Sequence, residues 1–333
     1  MTRRFALSFL LLLPLLVFAL FAVSFGLFNY RPIAPAAPVL LTVPSGAPLP
    51  RVARQLEDAG VIADAGKFQF LARLRGDTRR AQAGEYEFTE PATPCAVLDR
   101  LIAGDVQQRR LTIPEGLTLR EIADRLETEG IGPAAEIVRL AQSADFLAAM
   151  AIEASSPEGY LFPETYQFAT GTGPQKLLSA MVRQFRDRIS ADIVGAAKER
   201  GLTLHELVTL ASIIQKEAGN EMEMPVISAV FHNRLRRGIP LQADPTVIYG
   251  IEDFDGNLTR KHLRTTTPYN TYRIAGLPPG PIANPGLAAL RAAAFPDEVD
   301  FLYFVARGDG THQFSVTLKE HNQAVQRFQL RRR

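Results

Sequence analysis

Residues 204–217, LHELVTLASIIQKE, carry apolar side chains at helical spacing and end on a carboxylate, Glu217. Thr203 and Glu206 stand in the positions of a capping box, so the spacing predicts a helix that starts there and runs toward Gly219. Leu204, Leu207, Val208, Ala211 and Ile214 would form its buried stripe, and Glu217 would project along the edge of that stripe in the last turn. Partial burial disfavours the ionised carboxylate, and the negative end of a helix dipole disfavours it further. A carboxyl kept protonated near neutral pH can give a proton to a glycosidic oxygen and take one back afterwards. The competing reading of this segment alone is a rim glutamate paired with a nearby Arg or Lys.

Other chemistries find less support. HELVT at 205–209 lacks the second His of a zinc-protease helix, and no Cys/His cluster has zinc spacing. GTGPQK at 171–176 lacks the third Gly and the preceding strand of a dinucleotide site, so neither a metal nor an organic cofactor is expected. With 37 Lys+Arg against 35 Asp+Glu there is no electrostatic footprint for nucleic acid. Cys95 is the single cysteine and cannot form an internal disulfide, so packing must stabilise the fold.

The elements that would position Glu217 follow from the rest of the chain. After Arg3 and Arg4 comes an uncharged stretch, residues 5–28, which as a helix would span about 36 Å, enough to cross a bilayer. The arginines then place the amino terminus in the cytoplasm and residues 30–333 outside. A signal peptide cleaved near APA at 34–36 is the alternative, although the apolar run is long for one. Residues 31–41 read as an extended Pro-rich stalk. Residues 42–61 and 112–131 then align without gaps at an offset of 70, each with a β-branched strand end, a Pro-x-Gly turn and a helix closed by Gly. This pattern resembles LysM-type sugar-polymer modules, with a plain α+β spacer as the rival reading. The alternating aromatics of PEGYLFPETYQFATG, residues 157–171, suit a strand, and RGDG at 307–310 reads as a hairpin turn.

Several longer segments complete the pattern: EGYLFPETY, LASIIQKEAG, FHNRLRRGIPLQADPTVIYG, PYNTYRIAGLPPGPIANPG and FLYFVARGDGTHQFS. In this order, behind the apolar segment and the LysM-like region, they resemble the endolytic murein transglycosylases of the MltG or YceG type over nearly the whole chain. The resemblance implies an α+β protein: an anchor and stub over 1–30, the stalk, a LysM-like region over 42–150 and a catalytic α+β domain over 155–333. It implies a single-pass protein of the bacterial inner membrane that cuts peptidoglycan glycan strands internally, leaves 1,6-anhydro-muramyl ends and works beside peptidoglycan synthases to limit strand length.

The family's catalytic glutamate maps onto Glu217. Where many relatives carry a second acidic residue two positions earlier, this chain has Gln215. Asn233, Gln242, Asp244, Thr246, Tyr249, Tyr269, Asn270 and Tyr272 are candidate glycan contacts, being types that bind hydroxyl and acetamido groups or stack on pyranose rings. A bland role stands beside several of them: Asn233 locking a helix end, Asp244 capping PTVIYG, Tyr249 in the core. Two rival functions are a peptidoglycan-binding scaffold without catalysis and a two-carboxylate hydrolase, for which Glu221, Glu223 or Asp244 would be the second acid.

Overall fold

A computed structural model describes residues 2–44 and 46–330, with side chains described from residue 15 onward. The chain divides into one unit of residues 1–110 with 167–171 and a second of 111–166 with 172–333. Among the described residues helices dominate, and the strands form three two-stranded ladders: β1 (Val39–Val43) with β2 (Gly84–Phe88), β3 (Gln108–Thr112) with β4 (Thr165–Ala169), and β5 (Tyr303–Ala306) with β6 (His312–Ser315). The mixed α+β class is as the sequence indicated.

In the first unit, Leu49, Val52, Ala53 and Leu56 recur at one-turn spacing and are all buried on the Leu49–Asp58 helix. They share a core with Phe68, Phe88 and Leu98, and with Tyr86, whose hydroxyl donates to Gln82 O at 2.7 Å. The Pro-rich segment is extended but paired. Ile33 bridges to Ala92, β1 already begins at Val39, and Phe28 enters the core. The chain therefore turns straight from its first helix, Thr2–Tyr30, into the unit. The anchor expected over 5–28 falls partly outside the described residues, since residues 5–14 have no described side chains. Among the described residues no helix is long and apolar enough to cross a membrane. The terminal residues 331–333, read as a tail, lie outside them altogether.

Both copies of the sequence repeat have the same local form. Each pairs a five-residue strand, β1 or β3, with a ten-residue helix, Leu49–Asp58 or Leu119–Thr128. The second helix carries a complete capping box between Thr118 and Glu121. The aromatic segment at 157–171 is a strand only in its second half, where Tyr166 and Phe168 of β4 are buried in alternation. Residues 157–164 are turns.

The second unit is built around the Leu204–Glu217 helix, capped as expected by Thr203 and Glu206. All residues from Leu207 to Ile214 are buried, so the helix is wrapped on every side and the five-residue stripe was too narrow a reading. Leu204, assigned to that stripe, is instead 40% exposed at the first turn. Burying Thr209 and Ser212 leaves no orphan hydroxyl: Thr209 donates to His205 O at 2.7 Å, and Ser212 donates to Thr209 O at 2.7 Å while accepting from Ile282 N. The Leu287–Ala294 helix packs against it with Ala289 and Ala293 buried, small side chains that let the two backbones approach. The helix ends at Glu217 because Ala218 is extended (φ −71°, ψ 125°), two residues before the expected Gly219.

One buried carboxyl ties several loops together. Glu158 accepts hydrogen bonds from Leu119 N at 2.9 and 3.0 Å, from Asn284 Nδ2 at 2.9 Å and from the Tyr249 hydroxyl at 3.2 Å. Burial pushes it up to about 7, against the pull of those donors. Its neighbour must be glycine. Gly159 has φ +86°, and an added Cβ would lie 2.6 Å from Pro281 Cβ and 2.7 Å from Val208 Cγ1. Glu158→Gln points an amide donor at groups that are themselves donors. The purified variant should unfold at lower temperature, by about 1–3 kcal/mol of stability. An unchanged melting temperature would show that the Glu158 cluster does not hold these loops.

Candidate active site

Glu217 occupies the wall of a cleft of about 380 Å³ in the second unit. The end of the buried helix delivers it there, and the turn at Ala218 stops the chain from closing over it. On the other walls stand Gln242 from the segment before the Asp244–Tyr249 helix, Asp244 at the start of that helix, Tyr272, residues 304–306 of β5, and His312 at the start of β6. His321, on the Leu318–Val325 helix, completes the cleft.

The electrostatics of Glu217 follow from these neighbours. Burial first and the nearby Asp244 charge second push its carboxyl up to about 7, with Arg234 opposing both. Burial was the expected cause. Asp244, expected as a sugar contact, adds the like-charge repulsion. Arg234 is itself buried. Its Nε donates to Leu302 O at 2.7 Å and its Nη1 to Leu241 O at 2.7 Å, so the guanidinium is spent on backbone carbonyls around the cleft. The Tyr272 hydroxyl donates to Asp244 Oδ1 at 2.6 Å, holding that carboxylate in place. Gln242 is one of two non-glycine residues with positive φ among the described residues, at +51°. Strain of this kind, of order 1–3 kcal/mol, marks a site where backbone geometry has been set by something other than stability.

The loop after Glu217 is clamped to the β5–β6 hairpin. An added Cβ on Gly219 would lie 2.4 Å from Gly310 O, and Asn220 Nδ2 donates to that same oxygen at 3.0 Å. Glu223 accepts from His312 N at 3.0 Å, and its second oxygen lies 2.8 Å from His312 Nδ1. The RGDG turn is the hairpin the sequence indicated, and it braces the segment that carries the carboxyl.

Of the residues picked from sequence, Glu217, Gln242, Asp244 and Tyr272 come together in the cleft. The others sit behind or beside it. Asn233 is buried and donates to Val299 O and Phe301 O, and Thr246 is buried with its hydroxyl on Ala243 O and 2.8 Å from that of Thr271. Asn270, also buried, donates to three backbone carbonyls, including Thr265 O at 2.6 Å. Tyr249 and Tyr269 pack ring against ring at 4.9 Å near Glu158. Gln215 lies off the cleft, accepting from Gly286 N at 2.9 Å. Sequence reasoning passed over Glu158, Arg234 and His312. Each lies inside one of the quoted segments, but charge type alone did not separate it from its neighbours.

A near-neutral carboxyl in a polar cleft, with a second carboxylate beside it, is the equipment of an acid–base catalyst acting on a polar substrate. The chain belongs to the YceG-like family, whose model matches residues 41–327. It is 32% identical over 306 residues to a Bacillus subtilis protein named endolytic murein transglycosylase, covering 87% of this chain and 84% of that one. A Streptococcus pneumoniae protein of the same name is 28% identical over 97% of this chain and 65% of its own length. The crystal structure of a YceG-like protein from Listeria monocytogenes superposes with a TM-score of 0.60 at 32% identity, covering 86% of this chain and 98% of that one.

If the Asp244 charge contributes to the state of Glu217, Asp244→Asn should lower the Glu217 titration midpoint from about 7. Carbon-detected NMR of the glutamate carboxyls reads this directly. An unmoved midpoint would mean that the Asp244 charge has no part in setting it.

Proposed function

We propose that the chain is an endolytic murein transglycosylase that cleaves the MurNAc–GlcNAc bond within peptidoglycan glycan strands and leaves 1,6-anhydro-muramyl ends. The observation that carries this reading is the Glu217 carboxyl, pushed up to about 7 inside a polar cleft in a chain of the YceG-like family. The names of the B. subtilis and S. pneumoniae relatives support the substrate.

The mechanism needs one shuttle. Protonated Glu217 gives its proton to the bridging oxygen as the bond from that oxygen to C1 of the muramyl sugar breaks. The C6 hydroxyl of the same sugar then closes on C1, and its proton returns to Glu217, which restores the starting acid. Because the nucleophile is tethered to the reacting carbon, no second carboxylate is required to activate water. In this account Asp244 and Tyr272 tune and frame the acid, Asp244 by its charge and Tyr272 by holding it. The strained Gln242 offers its side chain to the sugar. Asn233, Thr246, Tyr249, Tyr269 and Asn270 belong to the same proposal as a supporting layer that shapes the glycan groove.

The wider setting is part of the proposal. Residues 5–28 anchor the protein in the bacterial inner membrane with Arg3 and Arg4 inside, the LysM-like region over 42–150 holds the glycan or spaces the catalytic domain of 155–333, and the enzyme limits the length of strands made by neighbouring synthases. A second reading, a hydrolase of the same polymer, draws on the presence of Asp244 in the cleft with Glu217. The scaffold reading has no comparable observation in its favour.

Glu217→Gln should keep the fold and reduce release of anhydro-ended fragments by about a thousandfold or more, measured by mass spectrometry of digested strands. Wild-type kcat/KM should fall as pH rises through about 7, because the acid must start protonated and its proton is lost there. Activity that persists in the variant, or that rises through this pH range, contradicts the role of Glu217.

A further inference from the structure

Glu217 is not the only group of the cleft whose chemistry is prepared by a neighbour. His312 lines the same cavity, and among the described residues both its backbone N–H and its Nδ1 meet one carboxylate. The backbone N–H donates to Glu223 Oε1 at 3.0 Å, and Nδ1 lies 2.8 Å from Glu223 Oε2. A carboxylate oxygen accepts, so Nδ1 carries the proton, and in the neutral ring Nε2 is the nitrogen that keeps its lone pair. Among the described residues no protein atom is placed to bond Nε2, and it is not among the buried polar atoms left without a partner. The ring itself cannot swing away. It meets Phe304 edge-on with centroids 5.4 Å apart and lies 6.3 Å from the Phe314 ring, and the His312 side chain is only 9% exposed.

A carboxylate that fixes one ring nitrogen and so aims the other is how proteins orient an imidazole toward a ligand. Glu223 comes from the loop that follows Glu217, and that loop is already clamped to the hairpin through Asn220 and Gly219. The same loop therefore sets both the acid and the imidazole, and any slip of the hairpin would move the two together.

We infer that His312 is a glycan-contacting residue, whose Nε2 accepts a hydrogen bond from a hydroxyl of the saccharide bound beside Glu217, and that Glu223 is its positioning residue. The inference deepens the proposed transglycosylase reading and rests on it. No proton needs to be transferred to His312, because Glu217 alone balances the reaction. The imidazole instead fixes the sugar so that the C6 hydroxyl and C1 meet in register. The site thereby selects for a substrate that presents a free ring or primary hydroxyl at this point.

Two substitutions separate contact from scaffold. An asparagine amide reaches the Nδ1 position and can still donate to Glu223, but carries nothing at Nε2. A glutamine amide reaches the Nε2 position. Both are compared with wild type for unfolding temperature, for kcat and KM on purified glycan strands, and for strand affinity in a Glu217→Gln background where no turnover occurs. His312→Asn should keep the wild-type unfolding temperature, bind strands about tenfold or more weakly and lose at least that factor in kcat/KM, while His312→Gln recovers part of the loss. Wild-type affinity and turnover in His312→Asn overturn the inference and leave the proposed function standing. Lost activity with a lowered unfolding temperature and no recovery in His312→Gln makes the residue a structural brace and overturns it too. A wild-type protein that releases no fragments from the strands removes the proposed function, and the inference falls with it.

Discussion

Putting a carboxyl at the end of a helix that is buried on all sides takes it out of water and leaves it only a few groups to answer to. In the Leu204–Glu217 helix the residues from Leu207 to Ile214 have no contact with solvent to give up, so the last turn is held by the core. Glu217 emerges from that core directly into a polar cleft. Desolvation favours its neutral form, Asp244 adds repulsion, and the charge of Arg234 limits how far the shift can go. The acid's readiness near neutral pH is thus a product of packing first and of local charge second.

The remaining architecture keeps that balance from drifting. Glu158 draws the first turn of the Leu119–Thr128 helix, the loop at Asn284 and the Tyr249 hydroxyl onto one buried group, and Ser212 fastens Ile282 to the central helix. Arg234 collects the carbonyls of Leu302 and Leu241, so the residue before β5 and the segment before Gln242 meet at one guanidinium. On the far side the Gly219–Gly310 contact and the Glu223–His312 pair brace the loop after the acid. At Glu158 and Arg234 a buried ionisable side chain is held by hydrogen bonds with backbone groups, and those partners must stay in place because an unmet buried charge is expensive.

Much of this was legible from residue pattern. Capping boxes at Thr203 and Thr118, the repeated strand–helix form at an offset of 70 residues, the hairpin at RGDG and the carboxylate that ends an apolar run at Glu217 are local signals, set by spacing within a few turns. What was not legible depends on long-range contacts. Nothing within the sequence distinguishes Asn270, folded inward onto its own loop's carbonyls, from Gln242, which faces the cleft on a strained backbone, since both are amides in similar polar segments. Likewise the pairing of Glu223 with His312 joins residues 89 positions apart, and the all-round burial of the central helix appears only once the Leu287–Ala294 helix is laid against it.

Digestion of intact glycan strands in water enriched in oxygen-18, with mass spectrometry of every new end, tests the central claim most directly. A single proton shuttle working by ring closure yields 1,6-anhydro ends that carry no label. New reducing ends that carry the heavy oxygen would contradict it and would make Asp244 the partner of Glu217 in hydrolysis.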